Sequence, residues 1–130
     1  MKTLLPPSWP RPKGYANGIA ARGRLVVTAG VIGWSAEERF EADDLPGQFR
    51  QTLANILAIL AEGGAGPEHI VRMTWYVTDI GEYRSSLAEI GAAWRELIGR
   101  QYPAMAVIGV SALVEPKAKI EIEATAVVPE

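Results

Sequence analysis

The stretch AKIEIEATAVV, Ala118 to Val128, decides the fold that the sequence predicts. Apolar residues alternate with Glu121, Glu123 and Thr125, which is the period-two pattern of a strand with two different faces. The residues expected to face a layer of helices are Ile120, Ile122, Ala124 and Ala126. The other row is too polar for a core and too apolar for water, so we expect another subunit to cover it.

The residues before this strand predict two helices and four further strands. An amphipathic helix covers Leu45 to Glu62, with Asp43 or Asp44 as its cap and Gly63-Gly64 as its stop. The apolar stripe of a second helix comprises Tyr83, Leu87, Ile90, Trp94, Leu97 and Ile98. The other strands are about Ala16–Ala21 and Arg24–Ala29, which form a hairpin across Arg22-Gly23, then His69–Asp79 and Met105–Ala112. The order ββαβαββ predicts an α+β fold with both helices on one face of the sheet.

The predicted domain organisation is simple. Residues 1–14 hold four of the nine prolines and are expected to form an extended, irregular lead-in. Residues 15–130 have the length of a single domain. In the middle strand, the row expected to face the helices is Val71, Met73, Trp75 and Val77.

Composition excludes several classes of function. The chain has no cysteine, so thiolate metal sites and thiol nucleophiles are absent, and its one histidine, His69, is expected to lie in a loop or at a strand edge. The sequence contains no P-loop, dinucleotide-binding or nucleophile-elbow motif, so we expect no cofactor and no metal. A net charge of -2 and scattered basic residues argue against nucleic acid and membrane as partners, and the chain is expected to be cytoplasmic.

The remaining candidates for chemistry are carboxylates and aromatics. Glu121 has two interpretations: an acid–base group in a subunit cleft, or an interface salt bridge or a solvent-facing charge, the second being favoured by the residues alone. Tyr15 and Trp34 lie in predicted loops or strand ends, where an aromatic can wall a pocket. Asp79, at the end of a strand, is expected to cap the helix that follows.

Four segments in order carry a family resemblance: GYANGIAARGRLVVTAGVIG, GQFRQTLANILAILAEGGAGPEHIVRMTWYVTDIGEY, YPAMAVIGVSAL and AKIEIEATAVV. The chain resembles the Rid (reactive intermediate deaminase) or YjgF superfamily from Gly14 to Val128. The resemblance implies a chorismate-mutase-like fold, a homotrimer with a central β-barrel, and a ligand cleft at each subunit interface. Active members hydrolyse imines and enamines, such as species derived from 2-aminoacrylate, to 2-keto acids and ammonia, and relatives act on 2-aminomuconate.

The resemblance also implies site residues. Glu121 matches the carboxylate that holds or activates water, Tyr15 a pocket tyrosine, and Gly30 a glycine whose amide meets the ligand. Val31 replaces a glutamine, and Met105 replaces the arginine that pairs with the substrate carboxylate. The other expected cleft residues are Trp34 and Ala106.

Methionine cannot neutralise a carboxylate, so the usual 2-iminopropionate is not the expected substrate. Three hypotheses follow: a hydrolytic enamine or imine deaminase that acts on a more apolar or aromatic compound, a non-catalytic trimeric module that binds a metabolite or partner, and, more remotely, an endoribonuclease or translation inhibitor. Arg72 is a possible substitute cation.

Overall fold

The computed structural model describes all of residues 1–130. The strands are β1 Lys2–Leu4, β2 Gly18–Ala20, β3 Arg24–Val27, β4 Val31–Ile32, β5 Ile70–Val77, β6 Ala104–Gly109 and β7 Ile120–Val128. The helices are α1 Leu45–Glu62, α2 Ile80–Ser85 and α3 Leu87–Leu97, and a short 3-10 turn spans Pro67–His69. No helix among these residues combines the length and the apolar character that crossing a membrane requires.

The main sheet has the order β3-β7-β5-β6, and β4 pairs with β7 beyond the end of β3. Strands β5 and β6 run parallel, whereas the other neighbours are antiparallel. This mixed sheet, with its helices on one face, confirms the predicted α+β class and the order of the main elements. We call that covered face the helix side and the opposite one the open face.

Helix α1 begins and ends where the sequence predicts. The Asp44 side chain accepts a hydrogen bond from the Gly47 amide at 3.1 Å, which satisfies a backbone donor in the first turn. The amide of Gly63 bonds back to the Leu60 carbonyl, and Gly64 takes the positive φ of +76° that a side chain would disfavour. The α1 residues buried against the sheet include Phe49, Leu53, Ile56 and Leu60.

The core lies between α1, α3 and the helix side of the sheet. Ile120, Ile122, Ala124 and Ala126 of β7 are buried, as the alternation predicts. Trp75 on β5 packs between two aromatic rings, with centroid distances of 4.8 Å to Phe49 and 6.0 Å to Trp94. This packing fixes the position of β7, and therefore of Glu121 on its other row.

The predicted N-terminal hairpin is wrong in its pairing. Strand β2 pairs with β1, inside the segment expected to be irregular, and β3 pairs with β7. The reason is an anchor at the far edge of the sheet, where Ala16 bridges Ala104 of β6. From there the chain crosses the sheet end to reach β3, and it passes so close to β7 that a Cβ on Gly23 would overlap the Val128 carbonyl.

The second predicted helix is divided in two at Ser86. The Ser85 hydroxyl donates to the Glu82 carbonyl at 3.0 Å, and the Ser86 amide bonds only three residues back, to Tyr83. The chain therefore restarts as α3 with a different rotation, and Leu87 is 52% exposed rather than part of the buried stripe. Asp79 caps α2 as predicted, because its carboxylate accepts from the Glu82 amide at 3.0 Å.

Strand β5 contains an irregularity that corrects its predicted facing. The pairing register with β7 shifts between Ile70 and Arg72, so the alternation slips by one residue there. Ile70 is buried in the core cluster, whereas Val71, predicted to face the helices, is only partly buried. From Met73 to Val77 the predicted rows are correct.

Candidate functional site

Glu121 lies on the open face of β7, directly against the backbone of Gly30. A Cβ atom at residue 30 would overlap the Glu121 carboxylate where it now lies, so a larger residue would push the carboxylate aside. Ile32 of β4 pairs with Glu121, and Val31 pairs with the neighbouring Ile122, which holds the two segments in register. The carboxylate and the Gly30 main chain therefore share one concave surface.

The cavity at this point, here called the Glu121 pocket, has a volume of about 380 Å³. Its walls carry Val31, Ile32, Trp34, Ile59, Val114, Glu115 and Glu121. Val114 is 94% exposed on the loop before β7. The lining holds two carboxylates and no lysine or arginine, so this pocket by itself favours an apolar, uncharged or cationic group.

The loop that carries Gly30 and Trp34 is tied to α1 by a residue that our sequence analysis missed. The Asn55 side-chain amide donates to the carbonyls of Ile32 at 3.0 Å and Trp34 at 2.8 Å. At the same loop, Gly33 lies so close to the Gln48 backbone that a Cβ would overlap its carbonyl. Asn55 thus fixes the loop that forms one wall of the Glu121 pocket.

Gln48 is a second missed residue, and it holds the other wall. Its side chain is 1% exposed; its amide donates to the carbonyls of Ala42 at 3.2 Å and Lys117 at 3.0 Å, and its oxygen accepts from the Lys119 amide at 2.8 Å. A signal was present in the sequence, because Gln48, Thr52 and Asn55 recur at spacings of four and three. They form a polar stripe beside the apolar one.

Tyr15 and Met105 lie elsewhere, at the β6 edge of the sheet. The Ala16 amide donates to the Pro103 carbonyl at 2.9 Å, which places Tyr15 beside the start of β6. Met105 pairs in register with the fully buried Met73 and packs against the core, so it lies on the helix side. Ala106 is the next residue along β6 and therefore lies on the open face.

The predicted site residues therefore form two groups within one chain. Gly30, Val31 and Trp34 meet Glu121, whereas Tyr15 and Met105 lie across two strands at the opposite edge. Met105 is in register with Met73 and, through it, with Ala124, three residues further along β7 than Glu121. A single chain does not bring the two groups into one pocket.

The open face of the sheet is uncovered in the single chain. Leu25 and Val27 of β3 are 65% and 58% exposed, beside the polar residues of β5 and β7. Arg72 lies on this face with Thr28 and Glu123, on the side of the sheet away from Met105.

Tyr76 and Glu123 form the principal polar contact of the open face. The Tyr76 hydroxyl donates to a Glu123 carboxylate oxygen at 2.8 Å. This bond raises the pKa of Tyr76 above its ordinary value of 10.0. Partial burial and the negative charges of Glu123 and Glu121 raise the pKa further, whereas the positive charge of Arg72 lowers it. The fold favours the neutral phenol of Tyr76. The contribution of this phenol to the free energy of unfolding is therefore complete below pH 10 and is lost as the pH rises through the raised pKa.

We expect Glu123→Gln to lower the pKa of Tyr76, because the substitution removes the carboxylate that both accepts the bond and repels the phenolate. Ultraviolet absorbance during an alkaline titration measures phenolate formation. One tyrosine should ionise at lower pH in Glu123→Gln than in the wild type, and Tyr76→Phe should remove that transition. Superimposable titration curves for wild type and Glu123→Gln would contradict the assignment.

The only histidine has a local structural partner. The Nδ1 atom of His69 accepts from the Gly66 amide at 2.9 Å, which stabilises the turn before β5. No group of three or more His, Cys, Asp and Glu side chains in residues 1–130 is arranged to hold a metal ion.

Comparison with known proteins gives a consistent result. The sequence model of the family described as Endoribonuclease L-PSP matches residues 10–128. The chain is 34% identical over 114 residues to the 2-iminobutanoate/2-iminopropanoate deaminase of Salmonella typhimurium. The aligned region covers 87% of this chain and 86% of that protein. It is 33% identical over 128 residues to a RutC family protein of Aquifex aeolicus, covering 98% and 99% of the two chains.

A solved structure shares the fold over nearly the full length. The YyfB protein of Yersinia pestis, described as a protein of unknown function in the conserved Rid family, superposes with a TM-score of 0.85 at 32% identity, over 98% of each chain. The chain therefore belongs to the Rid, or YjgF, family that the Endoribonuclease L-PSP model describes.

Proposed function

We propose that the protein is a hydrolase that deaminates a reactive enamine or imine. The observation that carries this proposal is the contact between the Glu121 carboxylate and the Gly30 backbone in a pocket whose lining is mainly apolar. The similarity to a 2-iminobutanoate/2-iminopropanoate deaminase supports the reaction class. A net charge of -2 gives no support to RNA as a substrate.

The chemistry requires one positioned base. An enamine first takes a proton on carbon and loses one from nitrogen to become the imine, and water then adds to the imine carbon. Glu121 accepts a proton from that water and passes it to the nitrogen, which gives a neutral carbinolamine. The new hydroxyl then loses its proton to the nitrogen by way of Glu121, the C–N bond breaks as the carbonyl forms, and ammonia leaves. The balance is one imine and one water to one carbonyl compound and one ammonia, with Glu121 returned to its carboxylate form.

A complete cleft requires a second copy of the chain. The Tyr15 and Met105 group and the Glu121 group lie at opposite edges of one sheet, and the exposed apolar residues Leu25 and Val27 provide a surface for association. We propose a homotrimer in which each cleft takes Glu121 from one subunit and Tyr15 and Met105 from its neighbour.

Ammonia release from 2-iminopropionate and from 2-aminomuconate tests the proposal. We expect turnover of at least one enamine or imine. The reaction should yield the carbonyl compound and ammonia in equal amounts. If the protein bound such compounds saturably but turned over none of them, the hydrolase proposal would be refuted and a trimeric binding module would be supported.

Met105 leads to a prediction about substrate choice. We expect Met105→Arg to raise kcat/KM for 2-iminopropionate at least about tenfold, because residue 105 is only partly buried on the edge strand β6, so that a long guanidinium side chain there can reach out and pair with the substrate carboxylate. Steady-state kinetics of ammonia release measure the effect. Met105→Gln, of similar length without charge, is the matched control. An equal gain in both variants, or none in either, would contradict the assignment of residue 105 to carboxylate binding.

A further inference from the structure

A second and larger cavity, here called the Tyr15 groove, lies beneath the N-terminal strands β1 and β2. Its volume is about 620 Å³, within the range of small-molecule sites, and it runs to the end of α3 and the start of β6. Residues that line it include Leu4, Tyr15, Trp94, Ile98 and Tyr102. The Glu121 pocket shares none of its lining residues.

The charge of this groove is opposite to that of the Glu121 pocket. Arg11, Lys13 and Arg100 line it, with Glu68 as its only carboxylate. The ion pairs of the chain are Arg50 with Glu96 and Lys119 with Glu82, so the three cations are unpaired. Unpaired cations around a concave surface attract an anionic group.

The aromatic walls are held in place. The rings of Trp94 and Tyr102 stack at 6.0 Å with an interplanar angle of 9°, and the Trp94 indole nitrogen donates to the Gln101 carbonyl at 3.2 Å. Gly14 takes a φ of +79°, which turns the chain between Lys13 and Tyr15. Trp94 is itself 4% exposed and supports the wall from below, so the aromatic surface next to the positive charge comes mainly from Tyr15, which is 42% exposed.

We propose that the Tyr15 groove binds the anionic end of the ligand. The positive charge that Met105 cannot supply comes from Arg100, Lys13 and Arg11. The ligand class is an elongated carboxylic acid with an aromatic or apolar body. Such a ligand keeps its carboxylate away from the reacting carbon, unlike a short 2-imino acid, in which the two are adjacent. The identification of this ligand as the substrate rests on the proposed function, whereas binding to the groove does not.

Titration calorimetry on the full chain tests the groove with two probes of the same shape. Indole-3-acetate should bind at least about tenfold more tightly than neutral indole-3-acetamide, and the difference should shrink as salt rises from about 50 to 500 mM. Equal affinity for the two probes, or no binding of indole-3-acetate at about 10 mM, would overturn the proposal.

Variants locate the site. Arg100→Gln and Lys13→Gln should each weaken indole-3-acetate binding severalfold, and together about tenfold or more. Arg84→Gln is the matched control, because Arg84 is exposed on α2, makes no ion pair and does not line the groove. A double variant with wild-type affinity would overturn the assignment.

The outcomes separate this proposal from the proposed function. Probe binding that depends on Arg100, in a protein that turns over no enamine or imine, would support the groove and refute the hydrolase. Turnover that depends on Glu121, without probe binding, would refute the groove and leave the hydrolase in place.

Discussion

Replacing Glu121 with glutamine is expected to lower the rate of ammonia release by a factor of about 10²–10⁴, the usual contribution of a positioned acid–base group. Glutamine keeps the shape of the side chain and its place against Gly30, but it cannot take a proton from water. The loss should therefore appear mainly in kcat, with the melting temperature near that of the wild type.

Glu123→Gln is the control that the chain itself offers. Glu123 lies two residues along β7 on the same face, but its carboxylate is bonded to Tyr76 and does not line the Glu121 pocket. Its substitution should change the rate by no more than a few-fold. If Glu121→Gln kept the wild-type rate, or if both substitutions lowered it equally, Glu121 would not be the base.

Replacing Gln48 with leucine is expected to lower the free energy of unfolding by about 2–4 kcal/mol, because it removes the buried side chain that bonds three partly buried backbone groups. These are the carbonyls of Ala42 and Lys117 and the amide of Lys119. Leucine fills most of the space but offers no hydrogen bond. The loop before β7 should also loosen, because Gln48 ties it to α1.

Urea unfolding at fixed protein concentration measures this loss, since association would otherwise shift the apparent stability. Gln51→Leu is the matched control on the same helix; its side chain is partly exposed and makes one bond, to the Asn55 side chain at 2.8 Å. If Gln48→Leu changed the free energy of unfolding by less than about 0.5 kcal/mol, the bridging role of Gln48 would be contradicted, because an ordinary surface substitution changes the free energy by that much.

Much of the fold could be predicted because local signals and tertiary packing agree. Asp44 and Gly63 are both good capping residues and the true ends of α1, and the alternation in β7 matches its buried row. The errors arise where distant contacts override local pattern. The Ala16 bridge to Ala104 redirects β2, and the register shift between Ile70 and Arg72 reverses the facing of Ile70 and Val71 at the start of β5.

The site was less predictable for a related reason. The contact between Gly30 and Glu121 joins residues far apart in the chain; the family resemblance implied a ligand cleft for both residues but did not predict this contact. The Tyr15 groove was not predicted, because Arg11 and Lys13 precede the domain core and meet Arg100 only after β1 pairs with β2. The polar stripe of α1 was visible in the sequence, but its partners were not.

Subunit mixing tests the central claim of a shared cleft most directly. Glu121→Ala and Tyr15→Ala each damage every cleft in their own homotrimers, but a mixed trimer contains one cleft with Glu121 from one chain and Tyr15 from the other. Random mixing of equal amounts should restore about a quarter of the wild-type clefts, and hence about that share of ammonia release. Activity equal to the mean of the two parents would contradict a cleft built from two subunits.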